Sequence, residues 1–126
     1  MSSDFFAKMQ KVAKSFSYAF QGILSAIKAE RNLKIHFFTS VIVISISLWL
    51  GLSTMEWLFI LLAIGGVLSL ELLNSAVERV VDLVTEEVHP LAKQAKDMAA
   101  GAVLVYAFLS VVIGLIIFLP KLLGIL

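Results

Sequence analysis

Residues 71–82, ELLNSAVERVVD, carry the side chains best suited to chemistry in this chain. Glu71, Asn74, Glu78 and Asp82 stand three, four and four residues apart, so a helix presents them along one face. Leu72, Leu73, Val77, Val80 and Val81 take the other faces. Fourteen uncharged residues, Trp57 to Leu70, precede Glu71, so a helix crossing a bilayer there holds that carboxylate at or near membrane depth. Such a group is expensive in hydrocarbon and normally faces a bundle interior or polar cavity, where it serves a function. Three carboxylates on one face also repel each other unless a cation or a basic side chain sits among them. A stripe of hard oxygen ligands suits Mg²⁺, which takes one or two carboxylates together with waters and substrate phosphates. Asp82 and Arg79 are equally compatible with ordinary interfacial residues beyond the hydrocarbon.

A second group of candidates lies just downstream. Lys93, Lys96 and Asp97 open the last apolar segment. A lysine at a helix entrance can meet phosphate oxygens as a point charge, or simply snorkel to the interface. The run Met98–Ala102 and the pair Gly65–Gly66 read as close helix packing. Glu30 falls where two helical segments meet and is either a further metal ligand or part of a hinge. His36 reads as structural, and so does His89 by pattern, although its loop position leaves it open to a substrate. There is no GxxxxGK[ST], GxGxxG, HExxH or GxSxG motif, so a nucleotide would have to be held by side chains and metal. The absence of cysteine excludes disulfides, thiolate catalysis and Cys-based metal sites.

The elements that position these residues are helices in a membrane. At 126 residues, the chain is 60% hydrophobic and only 15% charged, far too apolar for a soluble domain of this size. Phe5, Met9, Val12, Phe16, Phe20, Ile23 and Ile27 alternate in threes and fours, so residues 5–29 form an amphipathic helix. Such a basic helix either lies in the membrane interface or packs on the protein's own bundle. Its recurrent lysines and lack of a continuous apolar core argue against a cleavable signal peptide. Three spans follow, at about 33–52, 56–84 and 92–119, with a hinge at Glu30–Arg31–Asn32, a short turn at Gly51–Thr54, a polar loop from Thr85 to Pro90, and Pro120 as the final stop. Nine of the ten basic residues fall on one side of these spans, Lys121 being the exception, and this side is assigned to the cytoplasm. Eight of the nine acidic residues lie there too, all but Glu56, so the chemistry is expected at the cytoplasmic face and the C-terminus outside.

The segments SLELLNSAVE, DLVTEEVHPLAKQAKD, AERN–KIHF, EW followed six residues later by IGG, and GLIIFLPKLL together resemble the prokaryotic diacylglycerol kinase family, and within it the undecaprenol kinases of Gram-positive bacteria. The resemblance extends from about Lys11 to Leu119. It implies an all-α homotrimer in the bacterial plasma membrane, each protomer a single domain of three spans and a surface helix. It also implies transfer of the γ-phosphate of MgATP to a lipid hydroxyl, at sites shared between protomers. By the same resemblance, Glu71 is the catalytic base with Asn74 beside it, and Glu30 and Glu78 are metal ligands. Nucleotide contacts are implied for Lys11, Tyr18, Glu30, Glu78, Asp82, Glu87, His89, Lys96 and Asp97, and lipid contacts for Glu71, Lys14 and Ala100. Lys11 stands where many relatives have arginine, keeping the charge but losing bidentate contact with phosphate. Val88 replaces an aromatic residue present in some relatives.

The expected activity is therefore phosphorylation of undecaprenol, with diacylglycerol as the alternative substrate. A cation transporter or channel subunit would share the acidic stripe, but it leaves unexplained why the acidic groups gather at one leaflet with no polar path across. A purely structural scaffold leaves the cost of Glu71 unexplained.

Overall fold

The computed structural model describes residues 2–124 and consists of four helices: α1 (Ser3–Ala29), α2 (Arg31–Leu50), α3 (Thr54–Val84) and α4 (Pro90–Leu122). The last three are long and apolar enough to cross a membrane. The fold is all-α, an N-terminal amphipathic helix followed by three spans.

The element boundaries follow from local chemistry, and several differ from those expected. Glu30 alone, in extended conformation, separates α1 from α2, so the hinge is one residue rather than three. Gly51 closes α2 in the left-handed conformation (φ 69°), which suits a residue without Cβ. Ser53 then caps α3. Its side chain accepts from the Glu56 backbone N–H at 3.2 Å, and the Glu56 carboxylate accepts from the Ser53 N–H at 2.9 Å. This box starts α3 two residues before the expected position. Pro90, assigned to the loop, is instead the first residue of α4, where a missing N–H goes unmissed. Pro120 does not end α4, which runs on to Leu122. Proline removes a single bond so close to a terminus, and Lys121 Nζ is fixed 3.2 Å from Glu56 Oε1 across the outer end of the α3–α4 pair.

Helices α3 and α4 form the main packing unit, with α2 lying more lightly against α3. The buried face of α3 is the stripe Ile60, Ala63, Val67, Glu71 and Ser75, at helical spacing. A third of its most apolar stretch is buried (33%), against 11% in α2 and α4, so α3 is the central helix. Gly66 lets the Tyr106 ring of α4 approach the α3 backbone closely, and the Tyr106 hydroxyl donates to the Leu62 carbonyl at 3.0 Å. Leu52, Ile60 and Ile117 close a small core near the Gly51 turn.

Of α1, only Ala26 is buried, and Phe16 and Phe20 are each 64% exposed. The apolar stripe is thus not covered by the helices of the same chain. The protomer exposes 9436 Å², against about 6,600 Å² for a compact soluble monomer of 13.8 kDa. The surplus is apolar side chain facing outward from all four helices, the pattern of a chain solvated by lipid.

Candidate active site

Glu71 is 4% exposed and lies in the same buried stripe as Ile60, Ala63 and Val67. Among the described residues, one basic group reaches its carboxylate: His36 of α2, whose Nε2 stands 3.2 Å from Glu71 Oε1. Sequence reading gave His36 a structural role and missed this contact. Its signal was its cost, since it is the one ionisable group between Ile35 and Leu52. One turn further along α3, Asn74 Oδ1 is buried and has no hydrogen-bond partner among the described residues. A buried acceptor left open is costly unless something fills its valence.

From there the stripe climbs toward water. Glu78 is half-buried and Asp82 exposed, about 10 Å and about 16 Å along the axis from Glu71 at 1.5 Å per residue. At this end α4 meets α3 through charge. Lys96 Nζ donates to Asp82 Oδ1 at 2.6 Å, and within α4 Lys93 Nζ donates to Asp97 Oδ2 at 2.6 Å. A cavity of about 270 Å³ opens between the helix ends, lined by Asp82, Thr85, Glu87, Val88, His89, Lys93, Lys96 and Asp97 among others. His89 caps α4, its Nδ1 accepting from the Leu91 backbone N–H at 3.1 Å. Val88 projects fully into the surroundings. The cavity therefore gathers five of the nucleotide-contact candidates, Asp82, Glu87, His89, Lys96 and Asp97.

Other candidates are not brought together in one chain. Glu30 Oε1 lies 3.5 Å from Arg79 Nη1, so this acidic group faces a guanidinium, a partner not expected from the sequence. Lys11, Lys14 and Tyr18 are exposed on α1, and Ala100 is exposed on α4. Lys11 precedes Glu30 by nineteen residues, about 28 Å of helix, nearly three helix diameters. Among the described residues, no three carboxylates or imidazoles cluster closely enough to hold a metal ion. What one chain supplies is carboxylate oxygen donors, Glu78 and Glu30. This set fits a divalent ion that takes few protein ligands and completes its shell with phosphate and water.

The arrangement is a buried carboxylate on α3 with a charged cavity about three turns further along the same helix. Residues 17–118 match the family described as prokaryotic diacylglycerol kinase. The chain belongs to this family. It is 49% identical over 121 residues to the undecaprenol kinase of Bacillus subtilis, covering 96% of this chain and 98% of that protein. It is 46% identical over 111 residues to a diacylglycerol kinase of Synechocystis, covering 87% of this chain and 63% of that protein. With the diacylglycerol kinase of Escherichia coli it shares 28% identity over 102 residues, 81% of this chain and 84% of that protein. As a member of the prokaryotic diacylglycerol kinase family it is a membrane-embedded lipid kinase.

Proposed function

We propose that this kinase transfers the γ-phosphate of ATP to the terminal hydroxyl of undecaprenol, with Glu71 as general base. The observation that carries the mechanism is the burial of Glu71 at membrane depth beneath the charged mouth formed by α3 and α4. The lipid assignment is supported by likeness to the Bacillus subtilis undecaprenol kinase along nearly the whole of both chains.

Phosphoryl transfer needs mainly positioning and neutralisation of charge. Glu71 takes the proton from the lipid hydroxyl as its oxygen bonds the γ-phosphorus and the bond to ADP breaks. The open Asn74 Oδ1 accepts a hydrogen bond at the same level, orienting the hydroxyl or a water. Glu78 and Glu30 would hold Mg²⁺, which when bound with ATP neutralises the phosphate oxygens. Lys96 and Asp82, Glu87, His89 and Asp97 line the space in which the nucleotide sits.

The enzyme works as a homotrimer with composite sites. Three features support this: the incomplete ligand set of one chain, the surplus apolar surface, and Lys11, Lys14 and Tyr18 carried about 18–28 Å from Glu30 along α1. An exposed helix of that length delivers basic and aromatic side chains to a neighbouring protomer. The mouth faces the cytoplasm of a bacterial plasma membrane, where ATP is available, and the C-terminus lies outside. The nine basic residues on the mouth side support that orientation.

Likeness to the Synechocystis enzyme favours a second substrate, diacylglycerol, for the same chemistry. Purified protein in detergent, given labelled ATP and either lipid, separates the two. Faster turnover of undecaprenol is the expected result, and Glu71→Gln should abolish turnover on both while the helical fold persists. An active Glu71→Gln enzyme would remove Glu71 as the base.

A further inference from the structure

We propose that His36 is a positioning residue for Glu71: its Nε2–H bonds Glu71 Oε1 and fixes the carboxylate so that Oε2 faces the lipid hydroxyl. The inference rests on the reading of Glu71 as general base. A glutamate has three rotatable bonds, and Glu71 sits in a stripe whose other members, Ile60, Ala63, Val67 and Ser75, give its carboxylate nothing ionic to hold. The group that reaches it comes from a different helix, with Nε2 at 3.2 Å. The pair is within reach but not aligned as a hydrogen bond in this structure, and catalytic hydrogen bonds commonly tighten once substrate is bound.

His36 also occupies a particular place. The ring is 29% exposed, while Glu71 behind it is almost fully enclosed. Its exposed side lines a second cavity, of about 370 Å³, whose walls are otherwise apolar except for Thr39, Ser40 and Ser110. His36 thus touches both the cavity and the carboxylate, while Glu71 itself does not line the cavity. In the neutral ring one nitrogen donates and the other accepts, so a proton on Nε2 leaves Nδ1 as an acceptor. A neutral donor orients the carboxylate without neutralising it, and so leaves it able to take a proton. Carboxylates that act as bases depend on such support, because a misplacement of about 1 Å lowers the rate about 100-fold.

The test uses the full-length protein in lipid–detergent micelles, with kcat and KM measured separately for ATP and for undecaprenol. His36→Ala should lower kcat by about 10- to 100-fold while KM for ATP stays within about twofold. Glutamine places its amide nitrogen near the position of Nε2 and asparagine near that of Nδ1, so His36→Gln should recover most of the loss and His36→Asn little. Glu71→Asp withdraws the carboxylate by one methylene, so in that background His36→Ala should cost at most about twofold more. The Gln and Asn variants keep a polar group in place and decide the matter even if His36→Ala does not assemble. Unchanged kcat in His36→Ala, equal rates in the Gln and Asn variants, or an undiminished loss in the Glu71→Asp background would each overturn the proposal. An inert Glu71→Gln beside a fully active His36→Ala refutes the positioning role alone. An active Glu71→Gln refutes the base on which it rests.

Discussion

Gly65 and Gly66 are neighbours in α3, yet they should respond in opposite ways to the same methyl group. A Cβ on Gly66 would overlap the Tyr106 ring, whereas one on Gly65 meets nothing within 4 Å. In Gly66→Ala the ring must move, and the bond from its hydroxyl to the Leu62 carbonyl at 3.0 Å is lost with it. Overpacking of this kind costs about 1–3 kcal/mol, and the broken hydrogen bond about 1 kcal/mol more. The better helix propensity of alanine offsets about 1 kcal/mol. The net loss expected for Gly66→Ala is about 1–3 kcal/mol, while Gly65→Ala should be neutral to about 1 kcal/mol more stable. Unfolding in mixed micelles by titrated sodium dodecyl sulfate, followed by near-ultraviolet circular dichroism, reads both. The cycle is completed in a Tyr106→Ala background, where the obstructing ring is gone and adding Gly66→Ala should cost nothing further. Equal effects of the two glycine substitutions, or an undiminished cost of Gly66→Ala without Tyr106, would refute the close approach of α3 and α4 at this point.

Lys96→Ala breaks the 2.6 Å contact with Asp82. As the pair is solvent-exposed, thermal stability should scarcely change, while KM for ATP rises several-fold; an unchanged KM would place the nucleotide elsewhere. Substituting Lys121 by Met removes the partner of Glu56 at the far end of the bundle, and kcat and both KM values should stay at wild-type levels. Chelation with excess EDTA should stop turnover, with recovery on adding Mg²⁺ and little change in the circular dichroism spectrum, since among the described residues no cluster of metal ligands holds the fold of one chain together.

The spans were legible because hydrocarbon imposes a length and composition that few other structures share. The face carrying Glu71, Asn74, Glu78 and Asp82 was legible for a different reason, the regularity of the helix. What the sequence concealed were contacts between helices. His36 and Glu71 stand 35 residues apart and meet only because α2 lies on α3, a relation with no local signature. The Glu30–Arg79 contact is hidden in the same way, and it gives a candidate metal ligand a competing partner. The errors at helix ends have local causes that spacing does not weigh. Pro90 and Pro120 both read as breaks, yet one stands where a helix begins and the other one turn from where it finishes.

The depth of Glu71 also bears on how the protein is made. As α3 leaves the ribosome, its carboxylate must enter the bilayer before any partner helix is arranged around it, at a cost of about 2.5–3.5 kcal/mol on insertion scales. Nine strongly apolar residues precede it in the helix, Leu58–Leu62, Ile64, Val67, Leu68 and Leu70, and at about 0.3–0.6 kcal/mol each they supply about 3–5 kcal/mol in favour of insertion. The balance lets α3 partition by itself, without waiting for a chaperoning neighbour. Biogenesis and chemistry are thereby decoupled: the membrane accepts the helix first, and the environment that makes its carboxylate useful is assembled afterwards.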